Sequence, residues 1–290
     1  MKSILITGAT GNMGQETIRE LLKCFDKDIE IIAGVRNIEK AKKQFIKLEG
    51  IKYRPFDFKD NHLMEDSLEG IDQVLLIRPP AISQVEEYIL PFIQMAKIKN
   101  IEQMVFLSLQ GVEKNSIVPH YKIEKYIKEA DLPYTFLRPS FFMQNLSTTH
   151  RLEIKEKDEI FIPAGNGRTN FIDVRDIAEV AALVLTEGGH LNKAYELTGR
   201  RGYTYEEIAN ILSVILKRKI TYKNPSIVKF FFSKRKEGMA TAKILVMIGL
   251  YTVSKFGKAN HKTESLKRLL KREPRDFRTF VQDYKDVWVN

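Results

Sequence analysis

Along the first half of the chain, short runs of apolar and β-branched residues alternate with longer stretches whose apolar positions recur every three or four residues. The runs at 3–6, 29–34, 51–56, 73–77, 103–107 and 134–137 are short and almost uniformly apolar, which fits strands covered on both faces. Between them, 39–47, 85–98 and 121–129 carry helical periodicity. Strands separated by helices cannot close as tight hairpins and must cross over to parallel neighbours. The pattern predicts an α/β fold built on a doubly wound parallel sheet of six strands.

After residue 145 the alternation loosens through 158–163 and the turn Ala164-Gly165-Asn166-Gly167. A helix with the apolar face Ile177, Val180, Ala181 and Val184 is predicted at 173–187, followed by a strand at 194–197. Thr204 with Glu207 three positions later spells a capping box, and so marks a helix start. The rest of the chain reads as largely helical and basic. No internal repeat or low-complexity segment interrupts it.

The first strand breaks directly into Thr7-Gly8-Ala9-Thr10-Gly11-Asn12-Met13-Gly14, and the helical positions Thr17, Ile18, Leu21 and Leu22 follow. A strand, a glycine-rich turn and a helix start in this order are suited to wrapping the pyrophosphate of a dinucleotide. One glycine permits the turn, one clears space for phosphate, and one lets the helix lie close on the strand with its N–H groups facing the anion. The spacing is G-x-x-G-x-x-G, not the more familiar G-x-G-x-x-G, and read alone the three glycines serve equally as turn formers. Their position behind a buried strand favours the dinucleotide. Gly8, Thr10, Gly11, Asn12, Met13 and Gly14 are the expected cofactor contacts.

The second strand ends Ala33-Gly34-Val35-Arg36-Asn37. A carboxylate here would bind the ribose hydroxyls of NAD and repel a 2′-phosphate, whereas a guanidinium pairs with that phosphate. Arg36 therefore argues for NADP(H) over NAD(H), with Lys40 a weaker second donor and a plain surface arginine as the alternative. Asp57, in Phe56-Asp57-Phe58, is placed either to accept from an adenine amino group or to start a helix.

Composition narrows the class further. The chain has 290 residues, 43% of them hydrophobic and 29% charged, as suits a globular enzyme with a full core. Cys24 is the only cysteine, which excludes an intrachain disulfide or a thiolate metal cage, and no metal site is expected. The chain opens without a basic-then-apolar leader, and the apolar stretch 244–253 is far short of the roughly 20 residues of a membrane span, so a cytoplasmic protein is expected. The formal charge of +10 is concentrated in Lys234-Arg235-Lys236 and around 267–272. With no zinc-finger spacing or aromatic RNA-binding motif, a solvated helical surface is the favoured reading over nucleic-acid binding. Phe230-Phe231-Phe232, beside Lys229 and Lys234, reads as core or pocket wall, with a membrane-surface or oligomer contact as the alternative.

Several segments together resemble the NmrA-like branch of the atypical short-chain dehydrogenase/reductases. They are Gly8 to Gly14, Leu76-Ile77-Arg78-Pro79-Pro80, Phe106-Leu107-Ser108, Pro119-His120-Tyr121-Lys122-Ile123-Glu124, Leu132 to Asn145, Phe171 to Ala178, and Tyr195-Glu196-Leu197-Thr198-Gly199. The likeness covers about the first 215 residues and thins beyond them. It implies a Rossmann domain holding NADP(H) or NAD(H) at 1–156, rejoined by roughly 168–186, and a smaller, mainly helical substrate or lid domain at 157–290, interleaved with it. Arg78, Ser108 and Pro139 join the expected cofactor contacts. Phe141, Phe142 and Asn145, which follow the sixth strand, are expected at a flat apolar substrate. Such families include quinone and azo-compound reductases, a reductase of alkaloid synthesis, and regulators that sense a dinucleotide without turning it over.

Tyr121-Lys122-Ile123-Glu124-Lys125 spells the Y-x-x-x-K catalytic pair of mainstream short-chain dehydrogenases, in which Tyr donates a proton and Lys lowers its pKa. A second register uses a longer matched stretch. In it the family's lysine position falls on His120 and its tyrosine position on Ser116, which is no proton donor near neutral pH. The second register is favoured, making His120 the first catalytic candidate and Tyr121 the other; a histidine that merely caps the helix after Pro119 remains open. Two functions are carried forward. The first is an NADP(H)-dependent oxidoreductase acting on a small apolar or aromatic acceptor. The second is a noncatalytic NADP(H) sensor that binds a protein partner.

Overall fold

Uniformly apolar runs need partners on both edges and cover on both faces, and six of them pair in one parallel sheet. In the computed structural model, which describes residues 1–24 and 28–289, these are β1 (Lys2–Ile6), β2 (Ile29–Val35), β3 (Ile51–Pro55), β4 (Gln73–Leu76), β5 (Gln103–Leu107) and β6 (Tyr134–Pro139). The helices between them are α1 (Asn12–Leu22), α2 (Ile38–Gln44), α3 (Asn61–Ser67), α4 (Val85–Tyr88), α5 (Leu90–Ile98) and α6 (Pro119–Glu129). The single helix expected at 85–98 is two, because Pro91 in the first turn of α5 has no N–H to continue it and its ring crowds the preceding turn.

Past Pro139 the chain leaves this sheet. β7 (Phe141–Phe142), α7 (Arg151–Lys157), β8 (Glu159–Phe161) and β9 (Thr169–Ile172) belong to a second compact unit; α8 (Val174–Thr186) and β10 (Lys193–Leu197) return to the first. β11 (Gly202–Tyr203), α9 (Tyr205–Leu216), β12 (Thr221–Lys223), α10 (Ile227–Lys236), α11 (Thr241–Lys255), α12 (Ser265–Leu270) and α13 (Phe277–Tyr284) complete the second. The first unit is thus Met1–Pro139 with Val174–Leu197, and the second is Ser140–Asp173 with Thr198–Asn290. The crossing falls at Pro139 and not at 156 because Phe141 and Phe142 pair with Phe171 and Ile172, away from the main sheet.

In the first unit the sheet order is β10-β6-β5-β4-β1-β2-β3, with every pairing parallel. The expected six-strand order is extended by a seventh strand, β10, laid beside β6 from Lys193 opposite Thr135 to Leu197 opposite Pro139. α8 packs against α1. On the opposite side Phe56, Phe58 and Phe92 meet edge to face, with ring centroids 4.7, 5.4 and 5.7 Å apart.

The second unit is mainly helical and has its own core, including Tyr205, Phe230, Phe277, Phe280 and Trp288. The expected capping box is present: the Glu207 N–H donates to the Thr204 hydroxyl at 3.1 Å and the Thr204 N–H to the Glu207 carboxylate at 2.8 Å. A buried polar chain runs behind α10 and α11. The Glu153 carboxylate accepts from His150 Nδ1 at 2.8 Å and from the Lys234 ammonium, and His150 Nε2 accepts from the Tyr251 hydroxyl at 2.6 Å. An ionised carboxylate only accepts, so Nδ1 carries the imidazole proton. Burial pushes the Glu153 carboxyl up, but His150 and Lys234 outweigh it and hold the group below its ordinary range. Lys234, expected on a solvated face, is 1% exposed for this reason, and of the three phenylalanines Phe230 is core while Phe232 is 67% exposed.

Candidate functional site

The glycine turn is shaped by contacts that tolerate no side chain. Gly8 takes φ +60, a conformation that favours glycine, and a Cβ there would lie 3.1 Å from the Ile77 side chain. At Gly14, inside the first turn of α1, a Cβ would fall 2.5 Å from the Gly8 carbonyl oxygen and 2.6 Å from the Ala9 Cα. The helix start can therefore lie directly on the turn. Met13 is buried, while Thr10, Gly11 and Asn12 are exposed at the tip, where the helix N–H groups are available to an anion.

Three residues without an assigned role in the sequence hold this turn. The buried Thr7 hydroxyl accepts from the Ile77 N–H at 2.8 Å, tying the end of β1 to the end of β4. Gln44 donates to the Thr10 carbonyl at 2.9 Å across 34 positions of sequence, and Gln15 donates to the same oxygen at 2.9 Å. Arg36 is exposed just past β2, with no ion pair among the described residues. Lys40 is exposed nearby in α2, whose cap is Asn37. Asp57 lies two residues beyond β3, half-buried, its carboxylate accepting from the Lys59 N–H at 3.1 Å.

Arg78 and His120 form the most unusual part of the site. The Arg78 Nη1 group donates to the carbonyls of Pro79 (3.0 Å) and Ile82, and no carboxylate among the described residues pairs with it. Its Nε and the His120 Nδ1 are both buried without a hydrogen-bond partner among the described residues. Burial, reinforced by the positive Arg78, pushes the His120 imidazole down to about 3, so it is neutral at physiological pH. Native structures rarely strand buried polar atoms of this kind, and the guanidinium, bonded to carbonyls alone, has no counter-charge among the described residues.

Helix α6 presents the two catalytic candidates differently. Its buried positions are Ile123, Glu124 and Ile127, and His120 lies on that face, stacked on Phe106. Tyr121 lies one position round. Lys125 is exposed and pairs with Glu129 at 3.6 Å, so it gives Tyr121 no support. Glu124 carries the chief structural role on the helix. It takes a bidentate pair from Arg138 at 2.9 and 2.6 Å and accepts from the Ser108 hydroxyl at 2.6 Å, locking α6 to the ends of β5 and β6. Ser108, expected as a cofactor contact, thus spends its proton on Glu124. Pro139 is the buried last residue of β6, its carbonyl accepting from the Gln110 N–H at 3.0 Å.

Phe141, Phe142 and Asn145 belong to the second unit. Phe141 packs edge to face on Phe171 at 6.2 Å as part of that unit's core, Phe142 is half-buried, and Asn145 is exposed. Among the described residues no cluster of His, Cys, Asp and Glu is spaced to hold a metal ion, and no helix is long and apolar enough to cross a membrane.

A seven-stranded parallel sheet with a glycine turn behind its first strand defines a Rossmann-type α/β protein. The chain belongs to the NmrA-like family, whose profile matches residues 1–279, well into the region where the quoted motifs thin out. An NAD(P)H azoreductase of Xenophilus azovorans is 31% identical over 223 residues, 76% of each chain. Prestalk A differentiation protein A of Dictyostelium discoideum is 27% identical over 281 residues, covering 97% of this chain and 92% of that one. Among solved structures, an NADPH-dependent quinone oxidoreductase of Escherichia coli in complex with NADPH superposes with a TM-score of 0.86 at 25% identity, covering 97% of this chain and 99% of that chain.

Proposed function

We propose that the protein is an NADP(H)-dependent oxidoreductase that passes hydride to a small apolar or aromatic acceptor of the quinone, azo or enone type. The observation that carries the reading is the pair of stranded polar atoms, Arg78 Nε and His120 Nδ1, in the unit that also holds the glycine turn. A dinucleotide fits these residues: Gly8 and Gly14 let the start of α1 lie directly on the turn, that helix start offers N–H groups to phosphate, and Arg78 has no counter-charge among the described residues. Arg36, exposed past β2 and without an ion pair among the described residues, favours a 2′-phosphate. The azoreductase and quinone oxidoreductase named above act in keeping with such an acceptor.

When bound, the cofactor supplies the hydride, which is the demanding part of the reaction. The chain's own residues bind, orient and exclude water. Neutral His120 is suited to hydrogen-bond the nicotinamide ribose or the acceptor, and it acts as no strong acid at physiological pH. That suits acceptors that take hydride without a dedicated proton donor. Phe142 and Asn145 are the proposed acceptor contacts, and Phe141 supports them from the core.

The uncoupled Tyr121 and Lys125 also favour a second reading, a dinucleotide sensor that binds a protein partner without turnover. Steady-state oxidation of NADPH against a panel of quinones, azo dyes and enones separates the two. Acceptor-dependent turnover is expected; NADPH binding with no turnover on any acceptor establishes the sensor.

A further inference from the structure

Helices α10 and α11 are fastened from behind by the Lys234–Glu153–His150–Tyr251 chain, and their outer faces are apolar and bare. On α11 the exposed side chains are Leu245 (56%), Val246 (64%), Leu250 (45%) and Val253 (43%), with Phe256 (70%) at the cap. At 100° per residue these fall within one arc of roughly 140°, opposite the buried Ile244, Met247, Tyr251 and Ser254. α10 packs on α11 and adds exposed Val228 (65%) and Phe232 (67%). Contiguous exposed apolar residues on two neighbouring helices mark an interaction surface.

Charge identifies what the surface meets. From Pro225 to Lys262 the chain contains a single acidic residue, Glu237, which is bonded to Lys234 at 2.8 Å and Lys157 at 3.4 Å. Lys229, Lys236, Lys243, Lys255 and Lys258 are all exposed and make no ion pair among the described residues. Within this segment the charges flanking the apolar stripe are therefore positive, apart from the paired Glu237. A second copy of the chain would set one positive border against another, because a two-fold interface is self-complementary. Apolar side chains flanked by lysine with no exposed free carboxylate match an anionic lipid surface, which accepts the apolar groups below the headgroups and the cations among them.

We propose that this face of the second unit docks reversibly onto anionic membranes. Helix α11 lies in the interface plane; at 15 residues it is too short to cross. The proposal is independent of the reductase reading, since it concerns other residues and a readout without cofactor.

The test is co-sedimentation of the full chain with vesicles of equal parts phosphatidylcholine and phosphatidylglycerol, against vesicles of phosphatidylcholine alone. Binding to the mixed vesicles alone, falling steeply with added potassium chloride, is expected. Leu250→Glu should lower partitioning at least about tenfold, with an unchanged thermal midpoint confirming the fold. Lys243→Ser and Lys255→Ser, which leave the apolar stripe intact, should each lower it about fivefold. Equal binding to both vesicle types, or no binding to either, overturns the proposal. So does a concentration-dependent dimer in sedimentation equilibrium that Leu250→Glu dissociates while vesicles fail to bind.

Discussion

The His120 imidazole lies over the Phe106 ring, centroids 5.9 Å apart and planes 29° from parallel. One ring face is thus covered by hydrocarbon and one ring nitrogen is left without a partner. Replacement should be felt at the cofactor or acceptor. His120→Ala is expected to lower turnover or NADPH affinity by about tenfold, the cost of one buried hydrogen bond, and Tyr121→Phe by much less. Steady-state kinetics with NADPH titrations of both variants check this, and the reverse order would return the catalytic role to Tyr121.

The same burial makes stability depend on pH. Above the ordinary imidazole value of 6.5 the group is neutral in both folded and unfolded chains and contributes no slope. As pH falls from 6.5 toward 3, the unfolded chain takes up a proton that the folded chain refuses, so stability is lost across that window. Urea unfolding at several pH values should show a shallower decline for His120→Phe than for the parent. Parallel curves would mean that the imidazole is solvated.

Arg36 is the residue on which dinucleotide choice should turn. The parent should bind NADPH about ten- to a hundredfold more tightly than NADH, the range of one charge-assisted pair. Arg36→Asp should erase or invert the ratio, and fluorescence titration of both dinucleotides reads it. Equal affinities in the parent would sink the NADP assignment.

At Gly14 the obstacle to a side chain is backbone: the Gly8 carbonyl oxygen at 2.5 Å and the Ala9 Cα at 2.6 Å. Gly14→Ala should therefore push α1 off the turn, destabilise the fold by about 1–3 kcal/mol, and abolish the rise in thermal midpoint on adding NADPH. Gly11→Ala, whose Cβ would meet only the Gly8 carbonyl oxygen at 3.3 Å, should retain the fold.

Glu124 and Arg138 are buried enough, at 8% and 14% side-chain exposure, for their pair to matter. Glu124→Gln leaves the guanidinium only the half-exposed Glu113 carboxylate, at 3.2 Å, as an ion-pair partner and should cost about 1–3 kcal/mol in urea unfolding. The loss should also displace α6, raising the KM for NADPH through His120.

The turn at Gly8 was legible because it is local: strand, glycines and helix lie within a score of residues, and each leaves its mark in composition or periodicity. The place of Arg36 just past the end of β2 was legible for the same reason. The Glu124–Arg138–Ser108 lock was not, although all three residues stand in segments that drew attention. Its members lie on different elements, and only the parallel pairing of β5 with β6 brings them together. Gln44 on the Thr10 carbonyl is hidden in the same way, since nothing at Gln44 signals a contact with the first turn. Lys234 shows the converse failure. A lysine between Ser233 and Arg235 on an apparently basic helix face reads as solvated, and its burial depends on a glutamate 81 positions away. Helix α5 was missed as a separate element because periodicity runs on through Pro91, while the chain cannot.

The chain passes from one unit to the other at Pro139, returns at Val174 and leaves again after Leu197. During synthesis this sets an order of events. The strand that finishes the edge of the parallel sheet and the helix that covers α1 emerge only after the whole segment Ser140–Asp173 has been made. The glycine turn is complete within the first dozen or so residues, but the helix that follows it gains its α8 cover only after that segment. Neither unit can be cut out as one continuous fragment, and a truncation at Pro139 should yield a chain that exposes the β6 edge to its neighbours and aggregates.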